Sequence, residues 1–326
     1  MTSRLALIHN PRSRRNARDG DGEFEREAAR QLGPMFLTPS DRDELFTEIK
    51  ALAAQGVRCI VVNGGDGTVS DVMSAIIAVY PPGELPALAI LPSGNTNLIA
   101  EDVGLKNRGV AALTTLLERE RNGTLFSNTQ TRRPILVSWP GSNRAPIAGM
   151  FCGLAAFTRG IELAHQPAIL NRYSHDMAVL ATVIWAVRQL LRKETRRRWM
   201  NGEVMSLAID EGAPEDAARF LFLCSALHRL GHGVWPFWNN RTPANGGFFY
   251  LDILANPQKL PRAVASLMRR QKPGWLRSSS TYRSGQAGSV RIETRDRLVL
   301  DGEELDTGPD GCILLAQGPG IAFVNA

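Results

Sequence analysis

Arg58-Cys59-Ile60-Val61-Val62-Asn63-Gly64-Gly65-Asp66-Gly67-Thr68-Val69-Ser70-Asp71 is the stretch that decides the fold. Cys59 to Val62 is an apolar, mostly β-branched run that reads as a buried strand. Val69, Val72, Met73, Ile76 and Ile77 then recur at the i, i+3, i+4, i+7, i+8 spacing of a helix. The glycine cluster is therefore a strand-to-helix turn. Gly64, Gly65 and Gly67 can take positive φ and carry no Cβ, so a bulky anion can approach backbone N–H groups where a helix N-terminus adds partial positive charge. That favours phosphate, although such a turn also serves as a plain tight connection. The stretch fits neither G-x-x-x-x-G-K-[ST] nor G-x-G-x-x-G, which counts against a P-loop or an ordinary dinucleotide-binding fold.

With 326 residues the chain is long enough for two domains, and 44% hydrophobic with 21% charged residues is an ordinary globular balance. A net charge of +6 and a pI near 9.4 imply attraction to anionic partners without saying which. Cys59, Cys152, Cys224 and Cys312 lie far apart in apolar contexts with no C-x-x-C pair, which predicts buried free thiols and a reducing compartment. Met1 to Arg4 runs straight into a short strand, Leu5 to Ile8, with no signal-peptide pattern, and the longest apolar helical run, Met177 to Leu191, is too short to span a bilayer. The expectation is a cytoplasmic protein, soluble or peripheral to the inner face of the membrane.

Gly64-Gly65-Asp66-Gly67-Thr68 resembles the GGDGT signature of the diacylglycerol kinase catalytic-domain family, which includes sphingosine and ceramide kinases and is distantly similar to NAD kinases. Two further stretches support the resemblance. Leu5 to Ile8 leads into Asn10-Pro11-Arg12-Ser13-Arg14, similar to the family's N-P-x-S-G with Arg14 in place of the glycine. Leu88 to Leu91 leads into Pro92-Ser93-Gly94-Asn95-Thr96-Asn97, similar to P-x-G-[TS]-x-N-D, with Asn95 replacing the hydroxyl residue and Leu98 the aspartate. The resemblance implies nucleotide contacts at Asn10, Ser13, Thr38, Gly64, Gly65, Asp66, Gly67, Thr68, Gly94, Asn95 and Asn97. Thr38 also reads as a plain turn residue, and Asp66 as either a Mg²⁺ carboxylate or a helix N-cap.

After Asn122-Gly123 the texture changes to short alternating runs between turn signals, which predicts a mostly antiparallel β-sandwich. The resemblance implies an α/β nucleotide-binding domain over residues 1–128, to which 318–326 returns as a strand, and a lipid-substrate sandwich over 129–317 with a helical insertion at 171–199. That insertion is a basic amphipathic segment; residues 177–198 suit either an anionic membrane surface or packing on the sandwich. Trp235, Phe237 and Trp238 suit an acyl pocket or packing. His228 and His232 lie in a loop pattern and do not read as a metal pair.

Leu298-Val299-Leu300-Asp301-Gly302-Glu303 is by itself an ordinary hairpin signal. The family's D-G-E motif falls here, and the resemblance implies Glu303 as proton acceptor with Asp301 orienting it, the two roles not being separable from sequence. Two departures stand out: Phe126 to Gln130 lacks the acid common after the domain crossover, and Asn245-Gly246-Gly247 replaces a D-D-G linked to structural magnesium. The reading implied is an ATP- and Mg²⁺-dependent lipid kinase acting on diacylglycerol, with Asp66, Asp301 and Glu303 catalytic. Sphingoid bases or ceramide are the next acceptors, favoured by Leu98. A nucleotide- or lipid-binding regulator with a degenerate site is the alternative from another class, and an NAD kinase is the lesser enzyme alternative. No nucleic-acid partner is expected, and a homo-oligomer is left open.

Overall fold

The computed structural model describes residues 5–19, 21–94, 96–164, 197, 199–231, 235–238, 246–268 and 271–325. Asn95, His232 and nearly all of the 171–199 insertion lie outside them, and with them the reading of 177–198 as a membrane contact.

The chain begins with β1 (Leu5–His9), α1 (Glu23–Leu32), β2 (Phe36–Leu37), α2 (Arg42–Ala54), β3 (Cys59–Gly64), α3 (Asp66–Val79), β4 (Ala87–Pro92), α4 (Leu98–Val103), α5 (Gly109–Arg121) and β5 (Thr129–Arg132). It continues through β6 (Ile135–Ser138), β7 (Ile147–Gly149), β8 (Phe151–Ala155), α6 (Ala156–Ala164), β9 (Glu203–Ile209), β10 (Glu215–Ser225) and β11 (Phe248–Leu254). Helices Leu260–Met268 and Gly274–Arg277 precede β12 (Tyr282–Ala287), β13 (Ser289–Glu293), β14 (Leu298–Leu300), β15 (Glu303–Leu305), β16 (Cys312–Gln317) and β17 (Ile321–Val324). Two compact units result, 1–134 with 318–326, and 135–317. The division falls after Pro134 and not at residue 128, because β5 pairs with β17 in the first sheet.

The first unit is a six-stranded sheet in the order β2-β1-β3-β4-β17-β5, parallel except for β5. Every residue of β1, β3 and β4 is buried, as a sheet covered on both faces requires. Leu5, Leu7, Val61, Ala89 and Leu91 join the core of α1 and α5, and the alternate residues Ala6, Ile8, Ile60, Val62 and Ile90 face the other way. α2 begins where the Asp41 carboxylate accepts from Glu44 N–H at 2.9 Å. Strand order reverses between β1 and β3, and in open α/β sheets that switch point, at the carboxyl ends of the strands, is where ligands bind.

The second unit is one continuous eleven-stranded antiparallel sheet. β10 changes partners along its length: its Glu215–Arg219 half pairs with β9 and its Leu221–Ser225 half pairs with β8 and β11. A bulge between Arg219 and Leu221 in the β10–β11 register marks the change of partner. Arg219 is fully buried there: Nη1 donates to Met205 O at 2.6 Å, and Nε lies 3.2 Å from Asp252 Oδ1. Arg283 Nη2 donates to the same carboxylate at 2.5 Å. Burial holds the Asp252 carboxyl above its ordinary range against the pull of the two arginines. The four cysteines are free and buried, and burial pushes the Cys59 thiol up to about 12.

No helix among the described residues is long and apolar enough to cross a membrane. Arg219→Met leaves a buried carboxylate short of a partner and should lower unfolding free energy by about 3–5 kcal/mol, read by urea denaturation.

Candidate functional site

The first unit brings three turns together at the carboxyl ends of β1, β3 and β4. Asn10, after β1, donates from Nδ2 to Thr68 Oγ1 in the first turn of α3 at 2.8 Å, and its backbone N–H donates to Asn63 O at 3.0 Å. Ser13 is buried, with its N–H donating to Asn10 O at 3.1 Å. Thr38 is exposed just after β2.

The glycines serve a purpose different from the one expected of them. None of Gly64, Gly65 and Gly67 has positive φ; Gly65 is extended (φ −91°, ψ −177°) and Gly67 lies within α3. What they permit is close approach. A Cβ on Gly65 would stand 2.9 Å from the Gly94 Cα, one on Gly94 would stand 2.3 Å from the Gly65 Cα, and one on Gly64 would stand 2.6 Å from the Thr68 Cβ. The two turns thus touch backbone to backbone.

Asp66 locks the same pair from the other side. Its two carboxylate oxygens accept from Leu98 N–H and Ile99 N–H, each at 3.0 Å, so it caps α4 and not its own helix. Desolvation of the carboxylate pushes its pKa up to about 6, against the lowering effect of those amide bonds. Asn97, in left-handed conformation (φ 51°), accepts from Gly94 N–H at 2.8 Å and donates to Gly94 O at 3.0 Å. It clasps the turn from within.

Sequence reasoning missed the supports beneath. Asn63 Oδ1 accepts from Ser93 Oγ, and Asn63 Nδ2 lies 3.0 Å from His9 Nδ1. Arg132 reaches from β5 to the buried Asp102 of α4 with Nε and Nη2 at 2.8 and 3.1 Å. An asparagine inside an apolar strand, and an arginine facing an aspartate in a helix of otherwise apolar buried residues, were the available signals. Beside these turns opens a cavity of about 200 Å³ whose lining includes Arg15, Asn16, Asn63, Ser93 and Arg108.

α3 starts at a glycine N-cap, Gly65, which offers no side-chain cap, and a helix start of this kind can present its first amides to an external acceptor. That fits a phosphate group. Among the described residues no three His, Cys, Asp or Glu side chains form a metal cluster. Mg²⁺ bound largely through phosphate and water needs none, and Asp66 would meet such an ion only with the lone pairs left by its capping bonds.

In the second unit Asp301 (φ 47°) and Gly302 (φ 92°) form the two-residue turn of the β14–β15 hairpin, both left-handed as a type I′ turn demands. The Asp301 carboxylate accepts from Met150 N–H at 2.8 Å and Phe151 N–H at 2.9 Å. These amides sit where β7 gives way to β8, so the hairpin is fastened to the sheet at that break. A Cβ on Gly149 would come within 2.7 Å of Asp301 Oδ2, which explains the glycine. Glu303, exposed, opens β15 opposite Leu300. Asp301 is therefore a holding group and Glu303 is the carboxylate presented to solvent.

Comparison with known proteins agrees with this geometry. Residues 4–125 match the model of the diacylglycerol kinase catalytic domain. Two proteins from Pseudomonas aeruginosa strains UCBPP-PA14 and PAO1, each described as "Probable lipid kinase YegS-like", are 38% identical over 114 residues, a stretch spanning 33% of this chain and 36% of theirs. The first unit is thus similar to the diacylglycerol kinase catalytic domain over residues 4–125, and the aligned stretch spans only about a third of the curated relatives' own length. A crystal structure titled as a diacylglycerol kinase from Bacillus anthracis str. Sterne covers 98% of this chain and 97% of its own at TM-score 0.57 and 14% identity, so the fold extends across both units.

Two outcomes are expected. Gly94→Ala, which forces two backbones apart, should cost about 1–3 kcal/mol and weaken nucleotide binding, measured by thermal denaturation and calorimetric titration. For Asp66 the folded pKa, about 6, exceeds the ordinary 3.8. The folded state then binds more protons between those values, so its contribution to stability falls as pH rises from about 4 to about 6. Urea denaturation across that window should show the slope in the parent chain and its loss in Asp66→Asn.

Proposed function

We propose that the chain is an ATP-dependent lipid kinase that phosphorylates a hydroxyl of diacylglycerol or a related lipid. The observation that carries the reading is the pair of interlocked turns, Gly64–Thr68 and Ser93–Asn97, inside the segment matched by the family model. ATP would supply the phosphoryl group, and a Mg²⁺ carried with it, which Asp66 could help hold, would supply neutralisation of the charge developing on the phosphates. Asn10 and Thr68 hold each other in place, and backbone N–H groups at the start of α3 donate to phosphate oxygens. Arg15 and Arg108, which line the neighbouring cavity, add positive charge. Glu303 takes the proton of the lipid hydroxyl while Asp301 fixes the hairpin that carries it. Sphingoid bases and ceramide are the next acceptors, and Leu98 in place of an aspartate favours them.

A non-catalytic nucleotide- or lipid-binding regulator is supported by Arg14 and by the absence of an acid from Phe126 to Gln130. ATP consumption with Mg²⁺ against micelles of diacylglycerol, sphingosine or ceramide, with NAD in parallel, separates the readings. A kinase shows lipid-dependent turnover that drops by roughly 10²–10⁴-fold in Glu303→Gln with ATP affinity retained. Nucleotide binding without turnover on any acceptor selects the regulator.

A further inference from the structure

We propose that His9 is a positioning residue for the two interlocked turns, acting through Asn63 and Ser93 and only in its neutral form; its catalytic consequence rests on the kinase reading above. His9 ends β1, is 2% exposed, and pairs in register with Asn63. Its ring lies against Phe24 of α1 and Phe36 of β2, at 5.5 and 5.7 Å between centroids. Nε2 lies 3.0 Å from Glu25 Oε1. The carboxylates that act on His9 are Glu25 of α1 and, at longer range, Asp19.

Each donor in the relay dictates the next. Ser93 Oγ donates to Asn63 Oδ1, so the Asn63 amide hydrogens point at His9 Nδ1. Nδ1 must therefore accept, which places the ring proton on Nε2, facing Glu25. A second proton on the ring would set N–H against N–H at Nδ1. Asn63 would have to turn its amide over, and Ser93 would lose its acceptor. Ser93 is no remote residue: its N–H donates to Gly64 O at 3.1 Å, and Gly94 follows it against Gly65. Asn63 likewise runs directly into Gly64. Protonation at His9 is thus transmitted to both turns within one residue of their contact. Burial lowers the His9 pKa below 6.5 against the raising effect of Glu25, so the relay is intact at neutral pH.

The experiment is a pH titration of the full ¹⁵N-labelled chain by NMR, with Mg²⁺–ATP affinity measured over the same range. The His9 resonance is assigned by its loss in His9→Gln. The expected result is a neutral Nε2–H tautomer titrating below 6.5, amide shifts of Gly64, Ser93 and Gly94 that follow the same curve, and ATP affinity that falls about three- to tenfold through it, the worth of one hydrogen bond. In Asn63→Asp, whose carboxylate accepts from both Ser93 and a protonated ring, the His9 pKa should rise above that of the parent and the acid loss of affinity should disappear. An Nδ1–H tautomer, or turn amides that stay still while His9 titrates, overturns the relay. Amides that follow His9 in a chain that binds no ATP at any pH uphold the relay and overturn the kinase reading instead.

Discussion

Two backbones meet at Gly65 and Gly94 with no room for a methyl group between them, and the candidate nucleotide site depends on that contact. Close approach of this kind is a packing demand and not a conformational one: neither residue has positive φ. Everything around it maintains the approach. Asn97 clasps Gly94, Asp66 ties the start of α3 to the start of α4, and Asn63 ties the ends of β3 and β4. Arg132 extends the chain of support by holding α4 against β5 through Asp102. Polar groups here satisfy one another in a closed set, which sharpens geometry and makes each member costly to remove.

The second unit uses the same device with different residues. A carboxylate accepting two backbone amides fixes Asp301 to the β7–β8 break, much as Asp66 is fixed to α4. The partner change along β10 is held by a buried guanidinium serving carbonyls and a carboxylate. Motif aspartates thus brace backbone turns in both units, and Glu303 is exposed in the hairpin that Asp301 holds.

The parallel domain was legible in the sequence because β-branched runs, helical spacing and turn chemistry alternate without ambiguity from Leu5 to Val103. The Asp301-Gly302 hairpin was equally legible, being local. Three kinds of feature were not. β5 and β12 carry too few apolar residues to announce themselves, since partner strands from elsewhere in the chain define them. The purpose of the glycines depends on a neighbour about thirty residues away, which no local pattern encodes. The His9–Asn63–Ser93 relay joins three separate strands or strand ends, each unremarkable alone.

Among the described residues β17 is the strand that pairs with β5, and it lies between β5 and β4. During synthesis β17 must therefore find its gap between β4 and β5 after everything from Ile135 to Gln317 has emerged. Until then β4 has a bare edge and β5 hangs unattached, the state in which a sheet is most exposed to wrong pairing. Closing so long a loop is slow relative to local helix formation. The intervening unit is free to fold as a body of its own while the first sheet waits, so the order of assembly is written into the strand order.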